Sequence, residues 1–549
     1  MNTKIKFIAM LAVSIFGIIF NAGANISSVG YLHKTILDLK NISVPIDSGV
    51  RSESVHSVKY MMTQIDSANK LLNGFASSNY AASANVGSIV ATTKVESAVS
   101  ELIKKVSQGF SLQLTNADTF DFRISARGNF SIYWGDGTID EVNKQNTTNT
   151  TYTHNYASAG NYTVSVSGLA TEYNTGTSTA AISFGSSTVK TKITGISGSL
   201  SNIFPTLANG ANPRFYRTFY GCTGLTGSIP PKLFNGLSGA YVANMFDSTF
   251  RDCTGLTGSI PPDLFNGLSG APASYMFNYT FAGCTGLTGK IPAELFKGLS
   301  GAPAERMFNS TFSSCTGLSG SIPSGLFSGI SGAPASYMFY WTFSGCKGLT
   351  GAIPSGLFSG ISGAPANQMF MSTFSDCTGL TGAIPAGLFG NISGAPAAYM
   401  FTGTFDNCKG LTGKIPSGLF GNISGAPAVY MFSDTFNDCS GLTGEIPSGL
   451  FGNLSGAPAS NMFSGTFSGC SKLESFGDGI WNLTSVNNSS GNSLFTNFCH
   501  LCMKITSASP SIASGSNVKL WQHFTNYSTK AFTSATSLAD YADIPSTWK

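Results

Sequence analysis

The sequence predicts a mixed α/β chain of several domains: an N-terminal helical segment, a β-sandwich, then a long solenoid of 31-residue units. Three observations carry this. Apolar residues recur at three- and four-residue steps before residue 108. Short alternating segments follow up to about residue 190. Beyond that, one cysteine returns every 31 residues, nine times.

Composition sets the bounds. The chain has 549 residues, enough for several domains. Apolar residues make up 42%, which supports a real core, and only 10% are charged, far below the usual quarter or so. A net charge of +4 with no Lys/Arg cluster speaks against a nucleic-acid partner.

Residues 1–24 read as an export signal. Lys4 and Lys6 precede an apolar run over 7–20, and Ala22-Gly23-Ala24 offers small residues for cleavage. The run is too short to span a membrane comfortably. No later stretch is long and apolar enough to span one, so the expected location is extracellular or on the cell surface. Residues 25–108 read as helical. Val55, Val58, Met62, Ile65, Ala68, Leu72 and Phe75 form one apolar stripe, and Ala91, Val95, Ala98, Leu102 and Val106 form another.

Residues 109–190 read as a sandwich. Period-two segments such as "FSIYW" and "YTVSVSG" are separated by Gly, Asn and Thr. Gly135-Asp136-Gly137 marks a tight turn between two of them. Trp134 with that turn, His154, Tyr156, Gly160, Tyr162, Val164 and Val166 resemble the motif of PKD-like domains. The resemblance implies an immunoglobulin-like β-sandwich, with Trp134 in its core. Asp136 and His154 read as structural, because Asp before Gly in a turn bonds its own backbone.

Residues 191–485 are the array. Cys222, Cys253, Cys284, Cys315, Cys346, Cys377, Cys408, Cys439 and Cys470 stand 31 residues apart. Each unit offers about nine apolar positions, which are Phe250, Cys253, Leu256, Ile260, Leu264, Phe265, Leu268, Met276 and Phe277 in the second copy. One unit cannot bury these alone, but stacked units bury like against like. Leu-Thr-Gly-x-Ile-Pro is expected as the strand of each coil, and Phe-x-x-Cys as a helical or 3₁₀ turn before it. Phe-x-x-Cys-x-x-Leu followed by Ile-Pro, as in "FRDCTGLTGSIP" from Phe250 to Pro261, resembles BspA-like leucine-rich repeats of bacterial surface proteins. That resemblance implies a leucine-rich-repeat solenoid and a role in adhesion or in host or matrix binding. Residues 486–549 are expected to cap the array.

Exported cysteines are normally paired. Here nine equivalent thiols point the same way, which makes bridging dihedrals hard to reach. They are expected as a buried ladder of structural thiols. Cys499 and Cys502 form a separate Cys-x-x-Cys, read as a local disulfide or two core thiols.

Fixed positions hold the fold, so recognition must lie in the variable ones. Tyr275, Arg306, Tyr337, Tyr399 and Tyr430 precede Met-Phe in five of the copies, and Tyr340 and Trp341 lie close by in sequence. Tyr, Trp and Arg dominate binding hot spots, so these residues are the candidate ligand-binding set for a protein or glycan. The chain lacks a nucleophile elbow, a His-Glu-x-x-His and a phosphate loop. No enzyme activity, cofactor or metal is expected. The competing reading is a passive spacer or surface-layer component, and an enzyme hidden in the N-terminal region ranks below it.

Overall fold

The computed structural model describes residues 109–487, 493–525 and 530–549. The export signal expected over 1–24 and the helical segment expected over 25–108 lie outside the described residues. The chain divides into two units: Met1–Gly109 with Tyr133–Asp140, and Phe110–Ile132 with Glu141–Lys549.

Of the first unit, the described part is mainly a turn. Gly135 and Gly137 take φ of 92° and 96°, where a side chain would be strained. The Asp136 carboxylate accepts from the Thr138 amide at 3.0 Å and from its hydroxyl at 2.7 Å. The Trp134 indole donates to Asp140 at 3.0 Å.

A six-stranded sheet precedes the array. Its strands are β1 (Phe110–Ile124), β2 (Arg127–Tyr133), β3 (Ile139–Lys144), β4 (Thr150–Glu172), β5 (Ile182–Ser183) and β6 (Ile193–Gly198). The order is β3-β2-β4-β1-β5, with β6 also on β1. β1 pairs antiparallel with β4, β5 and β6. Phe110, Leu112, Leu114, Phe120, Phe122 and Ile124 of β1 are all buried, as period-two alternation requires. The expected sandwich is not formed. Among the described residues no second sheet covers this one. The start of the array does: Phe122 lies 5.4 Å from Phe184, Phe184 stacks 5.5 Å from Phe219, and Phe130 lies 5.7 Å from Phe204.

The mixed α/β class is also overturned. The only α-helix among the described residues is α1 (Leu520–His523), four residues long, and three 3₁₀ turns stand at Lys190–Lys192, Tyr541–Asp543 and Ser546–Trp548. The repeats contain neither the expected helical turns nor, in most copies, a strand. The physical cause is backbone handedness. Asn244, Ser248 and Asp252 have φ of 58°, 55° and 60°, and their equivalents do the same in later copies. A left-handed residue at every fourth position stops both helix and strand. The chain runs through overlapping turns instead. Thr249 N–H donates to Phe246 O in its own coil at 3.2 Å, and Phe250 N–H donates to Thr280 O of the next coil at 2.9 Å. Arg251 and Asp252 repeat the alternation, to Ser248 O at 3.3 Å and Ala282 O at 2.8 Å. Backbone donors that a helix or sheet would satisfy uniformly are satisfied here in two directions by turns.

The Leu-Thr-Gly-x-Ile-Pro stretch makes a single parallel bridge per coil, for example Gly289↔Leu318 and Gly320↔Leu349. A second runs through Gly301↔Ile330 and Gly332↔Ile361. Only near the end do they lengthen into β7 (Gly444–Ile446) with β9 (Leu473–Phe476), and β8 (Asn453–Gly456) with β10 (Asn482–Val486). The continuous sheet of a leucine-rich-repeat solenoid is therefore absent among the described residues. Close approach of neighbouring coils dictates Gly255, where a Cβ would sit 2.8 Å from both Leu225 O and Thr223 O.

The array core consists of three phenylalanine columns. Phe246, Phe277 and Phe308 stack at 5.5 and 5.8 Å, and Phe250, Phe281 and Phe312 at 5.7 and 5.8 Å. Phe265, Phe296 and Phe327 stack at 6.3 and 6.2 Å and wedge between the other two. The second column passes through Phe219 and Phe184 to Phe110 of β1, at 5.4 to 5.5 Å per step. Sheet and array thus share one core. At the other end Trp481 takes the place of phenylalanine in the third column, and Trp548 packs against Phe495 and Phe532.

Candidate functional site

The left-handed residues form three columns, four residues apart in each coil; Ser248 and Ser310 of the second column are buried, whereas the larger side chains reach the surface. The first holds Asn244, Tyr275, Arg306, Tyr337, Gln368, Tyr399, Tyr430 and Asn461, all at φ of 54° to 59°. Asn tolerates this conformation, whereas Tyr and Arg gain nothing from it and pay about 1–2 kcal/mol. Trp341 stands in the second column at φ 55°, where Gly403 and Gly465 stand in later copies. Large side chains placed against backbone preference point to a use for those side chains.

The structure brings most of the predicted set together. The Arg306 guanidinium lies between the Tyr275 ring at 5.3 Å and the Tyr337 ring at 4.1 Å. Glu305 steadies it at 3.7 Å. Tyr337 lies 5.8 Å from Tyr340, which stacks on Trp341 at 5.2 Å with 15° between planes. Gln368 donates to the Tyr337 hydroxyl at 3.0 Å, extending the ladder by one coil. Tyr399 and Tyr430 form a separate stack at 4.8 Å. Trp341 is 39% exposed, and the tyrosines are half-buried. Burial and the neighbouring Tyr279 and Tyr337 push the Tyr340 hydroxyl above its ordinary pKa, so it remains a neutral donor. Rings and planar hydrogen-bonding groups on one face can hold a ligand by stacking and cation–π contact.

Sequence reasoning passed over Arg217, Tyr220 and Arg251. Arg251 lies over the Tyr279 ring at 4.3 Å and the Tyr220 ring at 5.7 Å, and Arg217 lies over Tyr220 at 5.2 Å. The signal was available, since Arg217 and Trp341 share a column of the 31-residue register.

The nine repeat cysteines are free and fully buried. From Cys253 to Cys470, each thiol donates to the carbonyl of a phenylalanine in the preceding coil at 2.9 to 3.0 Å, as Cys253 does to Phe219. The threonine of each coil repeats this one turn earlier, as Thr249 does to Phe215 O at 2.9 Å. Burial pushes the Cys222 and Cys346 thiols up to about 12 and the other seven well up too. Such thiols do not become thiolates at neutral pH and are inert as nucleophiles. Cys499 and Cys502 form a disulfide, with the Cys502 sulfur 3.2 Å from Phe467 O in the place of a further rung.

Among the described residues, no group of three His, Cys, Asp or Glu could hold a metal ion, and no helix is long and apolar enough to cross a membrane. The chain matches no family model, no curated protein and no solved structure.

Proposed function

We propose that the chain is an exported surface protein that binds a protein or glycan through the face bearing Tyr275, Arg306, Tyr337, Tyr340 and Trp341. One observation carries the reading: Tyr275, Arg306, Tyr337 and Trp341 stand on left-handed backbone that Asn or Gly would occupy at lower cost. The Phe-x-x-Cys-x-x-Leu and Ile-Pro motif, with its resemblance to BspA-like bacterial surface proteins, supports adhesion or matrix binding. The chain acts by recognition, without catalysis.

The test is an array of glycans and extracellular-matrix proteins probed with the full chain. A specific ligand should appear, and a Tyr337→Ala/Trp341→Ala variant with unchanged unfolding temperature should lose at least about tenfold in affinity. Undiminished binding by that variant would remove the face from the reading. Absence of any ligand would favour the passive spacer.

A further inference from the structure

Three columns of this face also carry an ordered charge pattern: the second and third left-handed columns and, between them, the position just before the third. Arg217 and Arg251 lie near the start of the array, and Asp406, Asp434 and Asp438 near its end. Arg217 and Asp434 share one column, seven coils apart, and Arg251 and Asp406 share another, five coils apart. Lys190 completes the set. Its ammonium nitrogen lies 3.1 Å from where a Gly221 side chain would begin, so it fills the place that Asp438 takes seven coils later. Each cation thus has a carboxylate in its own column, and all three pairs share one midpoint, between the coils of Cys315 and Cys346.

A two-fold axis lying in this face and running across the columns keeps each column opposite itself and reverses the order of coils. Two copies related this way would set Arg217 against Asp434, Arg251 against Asp406 and Lys190 against Asp438, each pair twice. At the centre, Arg306 of one copy would meet Tyr337 of the other, the same partner it has within its own chain at 4.1 Å. In that register no two like charges of these columns oppose one another: Asp252 faces Asn407, and Asp376 faces Gly283. The inter-coil backbone bonds keep one pattern from Phe215 to Thr466, so both copies share a single spacing and their register does not drift. We infer that this face pairs with the same face of a second copy, antiparallel, in an isologous contact.

The pairing does not depend on a foreign ligand. It rests mainly on the charges but also engages Arg306 and Tyr337, so a bound ligand and a second copy would compete for this face. For a surface protein, such a contact would join two copies facing each other.

Sedimentation of the full chain tests it. At about 50 mM salt the chain should dimerise, and at about 1 M, where screening length falls to roughly 3 Å, association should weaken at least about tenfold. Arg217→Glu/Arg251→Glu and Asp406→Lys/Asp434→Lys should each be monomeric alone and pair when mixed. Asp434→Asn/Asp438→Asn should weaken pairing about tenfold with the fold intact, because Asn accepts the left-handed backbone as readily as Asp. This last pair decides the matter if the charge-swapped chains do not fold. A wild-type chain that stays monomeric at low salt overturns the proposal, including one that instead binds an acidic polysaccharide through Arg251. So does dimerisation untouched by the Asn pair, or folded swapped chains that remain apart on mixing.

Discussion

The sheet at residues 110–198 and the array that follows solve the same problem differently. In β1 and β4 each strand satisfies its neighbour, and side chains alternate between core and solvent with period two. In the array, successive backbone donors alternate between the same coil and the next, and the buried set recurs with period four: Phe246, Thr249 with Phe250, then Cys253. The difference shows what the turn ladder adds. It spares one residue in four for a left-handed position, and stacking turns those positions into columns. The sheet has no equivalent means of displaying rows of aromatic and charged groups at coil spacing.

The largest expected effect breaks the link between the two regions. Phe184 joins Phe110 of the sheet to Phe219 of the array, at 5.4 and 5.5 Å. Phe184→Ala should cost about 3–5 kcal/mol. Calorimetry should then resolve two transitions where the parent shows one. A single transition that merely shifts would mean the regions are coupled elsewhere.

A middle-sized effect sharpens the contrast in backbone. Tyr156 of β4 is buried and stacks on Tyr162 at 3.7 Å, and Tyr156→Ala should cost about 3 kcal/mol. Tyr337 is half-buried at φ 59°. In Tyr337→Asn, relief of the backbone offsets the lost ring contacts, and stability should change by less than about 1 kcal/mol. Denaturant titration of both variants compares them. A loss at Tyr337 as large as at Tyr156 would make it a core cover, with no need of a ligand.

The smallest effect is one of pH, opposite in sign in the two regions. Burial holds Asp406 and Asp434 above the ordinary 3.8, and nearby Asp434, Asp376 and Asp438 add to this for Asp406. Their ionisation opposes folding, so the array should gain stability as pH falls from neutral toward 3.8 and lose it as pH rises through the raised values. Asp118 of the sheet is held low by its hydrogen bond to Lys192. Its small contribution is present above 3.8 and fades as pH falls through the lowered value. Unfolding temperature measured against pH should show the gain in the parent and a smaller one in Asp434→Asn. A profile unchanged by that substitution would dismiss Asp434 as its source.

Much of the site was legible and much of the fold was not. The candidate tyrosines, Arg306 and Trp341 could be named because a 31-residue register brings equivalent positions together in any stacking arrangement. The helical turns were misread because Met-Phe-x-x-Thr-Phe-x-x-Cys, repeating every four residues, imitates a helical stripe. A better signal lay across copies. Gly283, Gly345, Gly403 and Gly465 stand where other copies have Asp, Tyr, Ser or Trp, and glycine in one copy marks left-handed backbone for all. The sandwich was misread because alternation shows that one face of a sheet is buried, without saying by what.

The sequence by itself determined the length of the coil, the identity of the buried positions and the set of side chains left to face outward. These follow from periodic apolar spacing, which permits only like-on-like burial. Tertiary structure alone decided the handedness of every fourth residue and the direction of each backbone hydrogen bond. It also decided that the first coils lie over the sheet. Those choices depend on donors and acceptors in the neighbouring coil, and no single 31-residue unit contains its own partners.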